Sequence, residues 1–166
     1  VYGLADANAQ LLRSMEKINY MPTTLGTWGN MSTPLLNIAG KKLAEHIIFA
    51  TSTAEDSNPR AVALAARVRE RYPQMPTFVA AAQSYDSVML LASAIRKAGT
   101  TDGEKVASTL EGALPDTQGI IKLYQKPFSK ADHDALGVQD FHLARWRDGK
   151  VTAYNDPITQ AFTPAD

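Results

Sequence analysis

Apolar residues recur along the chain at two spacings, helical and continuous, and the two kinds of segment alternate. Leu11, Leu12, Met15 and Ile18 predict a first helix, with Asp6 as its expected cap. Residues 19–22 break it. Thr23, Thr24 and Leu25 predict a short strand that stops at Gly26, followed by a loop over residues 27–30. Ser32 or Thr33 is expected to cap the next helix, with Pro34 in its first turn and Gly40 as its stop. Ile47-Ile48-Phe49-Ala50 is continuous and apolar, as in a strand buried on both faces of a parallel sheet.

Asn58-Pro59 opens a third helix, with Leu64, Val68 and Tyr72 on its apolar face and a solvated face of arginines. The longest helix is predicted over 78–98, with Phe78, Ala81, Ala82, Tyr85, Val88, Met89, Ala92 and Ile95 inward and Gly99 as its stop. Residues 101–104 have capping-box spacing and open a short helix carrying Val106 and Leu110. Strands are predicted at 120–124, 141–147 and 151–154, the last two joined by a tight Asp148-Gly149 turn. Residues 128–136 read as a polar loop, and the tail from Asn155 has no periodicity. Alternation of this kind marks an α/β chain. Val1-Tyr2-Gly3 reads as the end of a strand, so the chain is expected to be a piece of a longer protein.

Composition narrows the function. The 166 residues suit one ordinary domain, and 45% hydrophobic with 20% charged residues excludes a disordered chain. Seventeen basic residues balance seventeen acidic ones, leaving no surplus for a phosphate backbone, so no nucleic acid is expected as a partner. The absence of cysteine excludes disulfides, thiolate zinc sites and a cysteine nucleophile. No run of 18 apolar residues occurs, so no membrane span is expected.

His46, His133 and His142 lack metal-helix spacing, and neither a nucleophile elbow nor a phosphate loop is present. Asp132-His133-Asp134 reads as a loop held by side-chain-to-backbone bonds, and His142 as half-buried in a strand. No catalytic residue, metal or cofactor is expected, and no enzyme. Gly3 and Gly26 read as tight strand-to-helix turns. Trp28 follows a strand and precedes a helix, where open α/β sheets bind ligands. It offers either a flat surface for a ligand or a cover for the sheet edge. Leu4, Ala5 and Asp6 hold the equivalent place after the first strand, although Asp6 is more simply a cap.

The words Ala81-Ala82-Gln83-Ser84-Tyr85-Asp86-Ser87-Val88, then Ala94-Ile95-Arg96-Lys97-Ala98-Gly99-Thr100-Thr101-Asp102, form a combined signature. With Pro127-Phe128-Ser129-Lys130-Ala131-Asp132-His133, they resemble the type I periplasmic solute-binding proteins of branched-chain amino acid ABC transporters. The resemblance covers nearly all of this chain but only the C-terminal portion of the family. It implies three-layer α/β/α lobes, present here incompletely, that close by a hinge on a ligand between them. Residues 1–53 would belong to the second lobe, with a hinge near 51–53; residues 54–130 would return to the first lobe, and 131–166 would finish the second. Ligand contacts would fall on Leu4, Ala5, Asp6, Thr27, Trp28 and Asn30. Leu4 stands where branched-chain binders carry an aromatic residue, and Trp28 where they carry an acid. The implied ligand is therefore an amino acid or a hydrophobic or aromatic carboxylic acid. The implied role is a periplasmic or extracellular component of an importer, delivering to a membrane permease; a ligand-sensing regulator or receptor of the same fold is the alternative. The long helix should show an apolar face to a missing N-terminal part, or to another copy of the chain.

Overall fold

In the computed structural model, which describes residues 1–155, the apolar run at Ile47 becomes the central strand of a mixed sheet. That strand, β2 (Ile47–Thr51), pairs in parallel with β1 (Thr24–Gly26) and antiparallel with β5 (His142–Arg147). β6 (Lys150–Ala153) completes the order β1-β2-β5-β6. Ile47, Ile48, Phe49 and Thr51 are all buried, as a two-sided strand requires. The sheet is parallel only on the β1 side, because the final hairpin enters antiparallel. Asp148 and Gly149, at φ of 50° and 81°, make the hairpin turn. Glu45 anchors it: its carboxylate accepts from Asp148 N at 3.0 Å and Arg147 Nη1 at 2.9 Å. These bonds, the backbone one first, hold its pKa below the ordinary value.

The first helix, α1 (Ala5–Lys17), buries Ala5, Asn8, Ala9, Leu12 and Met15. Leu11 and Ile18 were expected on this face and are exposed. Small residues at positions 5 and 9 define the inward stripe instead. Leu4, not Asp6, is the cap residue, and no side chain caps this end. Asp6 lies within the first turn, where its charge complements the helix dipole. α2 (Thr33–Ala39) begins after Ser32 and stops at Gly40 with φ of 80°. A short α3 (Lys41–Ala44), not foreseen, precedes β2. α4 (Pro59–Arg71) is capped by Asn58 Oδ1, which accepts from the N–H of Arg60 and Ala61, both at 3.0 Å. It buries Ala61 and Ala65; Leu64 and Val68 are half-buried, and Tyr72 is exposed beyond the helix end.

The chain divides into two compact units, Val1–Val79 with the chain from Phe141, and Ala80–Asp140. The boundaries between the units lie at residues 79/80 and 140/141. Thr51, Ser52 and Thr53, expected as a hinge, are buried in the first unit, where Thr51 Oγ1 donates to Thr53 O at 3.0 Å. The tail at 156–166, part of the expected last segment, lies outside the described residues.

The second unit is organised by α5 (Phe78–Ala98) and α6 (Gly103–Gly112). Its core joins Leu90, Ala94, Val106, Leu114 and Tyr124. The buried line of α5 there is Ala82, Asp86, Leu90 and Ala94, rotated from the expected face, and Val88 and Leu91 are exposed. The cause is Asp86. Its carboxylate, 2% exposed, accepts from Ile120 N at 2.5 Å, Ile121 N at 3.0 Å and Tyr124 Oη at 2.9 Å. The expected strand at 120–124 is reduced for the same reason to β4 (Leu123–Tyr124), paired with β3 (Thr117–Gln118). α5 is long and apolar enough by length and composition to cross a membrane, although none was expected. Its buried, bonded carboxylate suits a core helix instead. Asp102, rather than Thr101, caps α6 by accepting from Lys105 N at 3.1 Å.

Candidate functional site

Two loops at the end of the first unit's sheet approach each other. Residues 1–3 form no strand, but the Val1 amino group donates to the carbonyl of Leu25 in β1. After β1, Trp28–Asn30 make one 3₁₀ turn, closed by Asn30 N to Thr27 O at 3.0 Å. Between the loops lies a cavity of about 260 Å³, lined by Tyr2, Gly3, Leu4, Thr27, Trp28 and Gly29. No charged side chain is among its lining residues. Trp28 is 43% exposed there, leaving part of its surface open for contact.

Of the six residues expected to bind ligand, Leu4, Thr27 and Trp28 line this cavity. Ala5 is buried on the inner stripe of α1, and Asp6 is exposed in its first turn; neither is in the lining. Asn30 is fully buried, and its amide is committed to the protein. Its Nδ2 donates to Thr27 O at 2.9 Å, and its Oδ1 accepts from Asn8 Nδ2 at 2.7 Å. Its backbone carbonyl accepts from Trp146 Nε1 at 2.9 Å. Asn8 Nδ2 also donates to Gly3 O at 3.0 Å. Sequence reasoning missed Asn8, whose signal is an amide on a helix stripe of Ala5, Ala9 and Leu12. It also passed over Tyr2, Gly3 and Gly29, the immediate neighbours of residues it did select.

Gly3 and Gly26 were read as turn glycines, yet neither has positive φ. Space explains them. A Cβ on Gly26 would lie 2.4 Å from Asn30 Nδ2 and 3.1 Å from Ile47 Cδ1; one on Gly3 would lie 3.0 Å from Asn8 Oδ1.

The histidines His133 and His142 lie away from this cavity's lining. His133 pairs with Glu111 at 3.1 Å, in a loop where Ser129 Oγ accepts from the N–H of Ala131 and Asp132. His142, at the start of β5, is partly exposed, and partial desolvation lowers its pKa. Among the described residues no group of His, Asp and Glu could hold a metal ion. A second cavity in the first unit, about 300 Å³, is lined by Met31, Phe78, Trp146, Val151 and others, and includes none of the six.

Comparison with known proteins bears on this geometry. The periplasmic binding protein family description matches residues 1–150. The chain belongs to that family. Its fold is that of a type I periplasmic binding protein, present as an incomplete portion. A type 1 periplasmic binding protein from Bordetella pertussis Tohama I aligns with TM-score 0.73 and 22% identity, over 92% of this chain and 44% of that one. A leucine-binding protein from Thermotoga maritima aligns at 0.70 and 21%, over 93% and 42%. A fatty acid ABC transporter substrate-binding protein from Thermomonospora curvata aligns at 0.67 and 20%, over 97% and 44%. The chain therefore spans less than half the length of these structures. No curated protein matches it. Solute binding, not catalysis, is the typical work of this family.

Proposed function

We propose that the chain is part of the solute-binding component of an ABC importer, periplasmic or extracellular, and that the cavity between Leu4 and Trp28 holds the apolar part of the ligand. The observation that carries this reading is the convergence of Leu4, Thr27 and Trp28 on one cavity at the carboxyl end of β1. The lining offers no carboxylate for an ammonium group, so it favours a hydrophobic or aromatic carboxylic acid over a free amino acid. The partners are that ligand, a membrane permease, and the rest of a longer protein or a second copy of the chain. Exposed Val88 and Leu91 on α5 support the last of these.

The test is unfolding of the full chain with phenylacetate, benzoate, hexanoate and leucine. A ligand of the folded state at a hundredfold excess over its dissociation constant adds about 2.7 kcal/mol. An aromatic or aliphatic acid should stabilise more than leucine does, and Trp28→Ala should abolish the gain. Stabilisation by leucine alone, or a gain that survives Trp28→Ala, would reject this ligand class.

A further inference from the structure

Nothing in the strand ladder ties the two cavity loops together. Gly3 and Leu4 lie outside any strand, and Thr27 follows the last residue of β1. Apart from the bond from the Val1 amino group to Leu25 O, what joins them among the described residues is one continuous polar path. Gly3 O accepts from Asn8 Nδ2, the same Nδ2 donates to Asn30 Oδ1, and Asn30 Nδ2 donates to Thr27 O. The path continues to β5, since Asn30 O accepts from the indole of Trp146. Asn8 is 5% exposed and Asn30 is not exposed at all. Buried amides are costly unless bonded, and here the bonds of the two amides run to the loops or to each other.

We infer that Asn8 and Asn30 are positioning residues of the proposed site, and that this pair sets the separation of the Gly3–Leu4 and Thr27–Gly29 backbones. The inference rests on the binding reading above but makes a claim about geometry that can fail separately. The two glycines belong to the same device. Gly26 leaves the space that the Asn30 amide occupies, and Gly3 leaves the space beside the Asn8 amide. The pairing is also directional. Asn30 turns its Nδ2 to Thr27 O, which leaves its Oδ1 facing residue 8, so at this contact Asn30 accepts and residue 8 donates. An aspartate at position 8 keeps the size and shape but presents an acceptor to both Gly3 O and Asn30 Oδ1. The cavity width, and with it the girth of the ligand that fits, is then a property of two residues that do not line the cavity.

The experiment uses the full chain and two readouts. Acrylamide quenching reports the loop directly, because Trp28 is 43% exposed and Trp146 only 6%; Trp28→Phe supplies the blank. Binding is read with phenylacetate and hexanoate, which differ in girth. The variants are Asn8→Asp and Asn8→Ala, with Leu12→Ala as a control that removes a buried side chain from the same helix stripe. Both Asn8 variants should raise Trp28 quenching at least twofold and change the phenylacetate-to-hexanoate affinity ratio at least fivefold. Leu12→Ala should lower stability and move neither. If quenching changes while the unmodified chain binds neither acid, the positioning role holds and the proposed ligand class falls. If Trp28 quenching in the folded Asn8 variants matches the unmodified chain, or if Leu12→Ala alters it equally, the pair is ordinary core and the inference is overturned.

Discussion

Asp86 shows how much one side chain can decide. It sits on an otherwise apolar helix stripe, is 2% exposed, and receives two backbone N–H groups and a phenol. Asp86→Ala would leave two buried donors and one part-buried donor without this acceptor. At about 1–3 kcal/mol for an unsatisfied group, the loss is at least about 3 kcal/mol, measurable by urea unfolding. The same contact makes Tyr124 sensitive to alkali. Burial first, and the Asp86 charge second, raise its pKa well above the ordinary value of about 10. The folded state therefore keeps the phenol proton while the unfolded chain loses it. Stability from this group is whole below about pH 10 and falls as pH rises past that point. Tyr124→Phe should cost about 1 kcal/mol at pH 7, with the gap to the unmodified chain narrowing at pH 10.5. A gap that stays constant between the two pH values would count against the linkage.

At the scale of elements, local chemistry was readable wherever one residue decides it. The Asn58-Pro59 start of α4, the span of α5, the Gly99 stop and the Asp148-Gly149 turn all follow from backbone preferences that need no partner. The turn gives a test: Gly149 has φ of 81°, and a Cβ there would lie 3.1 Å from Lys41 Cε. Gly149→Ala should destabilise the first unit by about 1–2 kcal/mol in denaturant unfolding followed by tryptophan fluorescence. Facings were less readable than spans. The stripe of α1 runs through two alanines and an asparagine, where hydropathy favours Leu11 and Ile18. The strand expected at 120–124 is shortened to its last two residues, its first two amides being held by a carboxylate 34 and 35 residues away in sequence. The candidate site divides in the same way. The loops at Leu4 and Trp28 were legible because ligand loops follow strands. The Asn8–Asn30 bond was not, because a hydrogen bond across 22 residues leaves no spacing in the sequence.

At the scale of the whole molecule, the division into two units makes a thermodynamic claim. Both tryptophans, Trp28 and Trp146, belong to the first unit, so tryptophan emission reports that unit alone. Most of α5 and all of α6 belong to the second, so helical circular dichroism reports both. The interactions of Asp86 lie entirely within the second unit. If each unit unfolds cooperatively by itself, Asp86→Ala should move part of the dichroism transition to lower urea and leave the tryptophan midpoint in place. Gly149→Ala should do the reverse, lowering the tryptophan midpoint and sparing the part of the dichroism that the second unit contributes. If both variants shift both probes together, the chain unfolds as one cooperative body, and the stability of the Leu4–Trp28 site would depend on Asp86 as well as on its own loops.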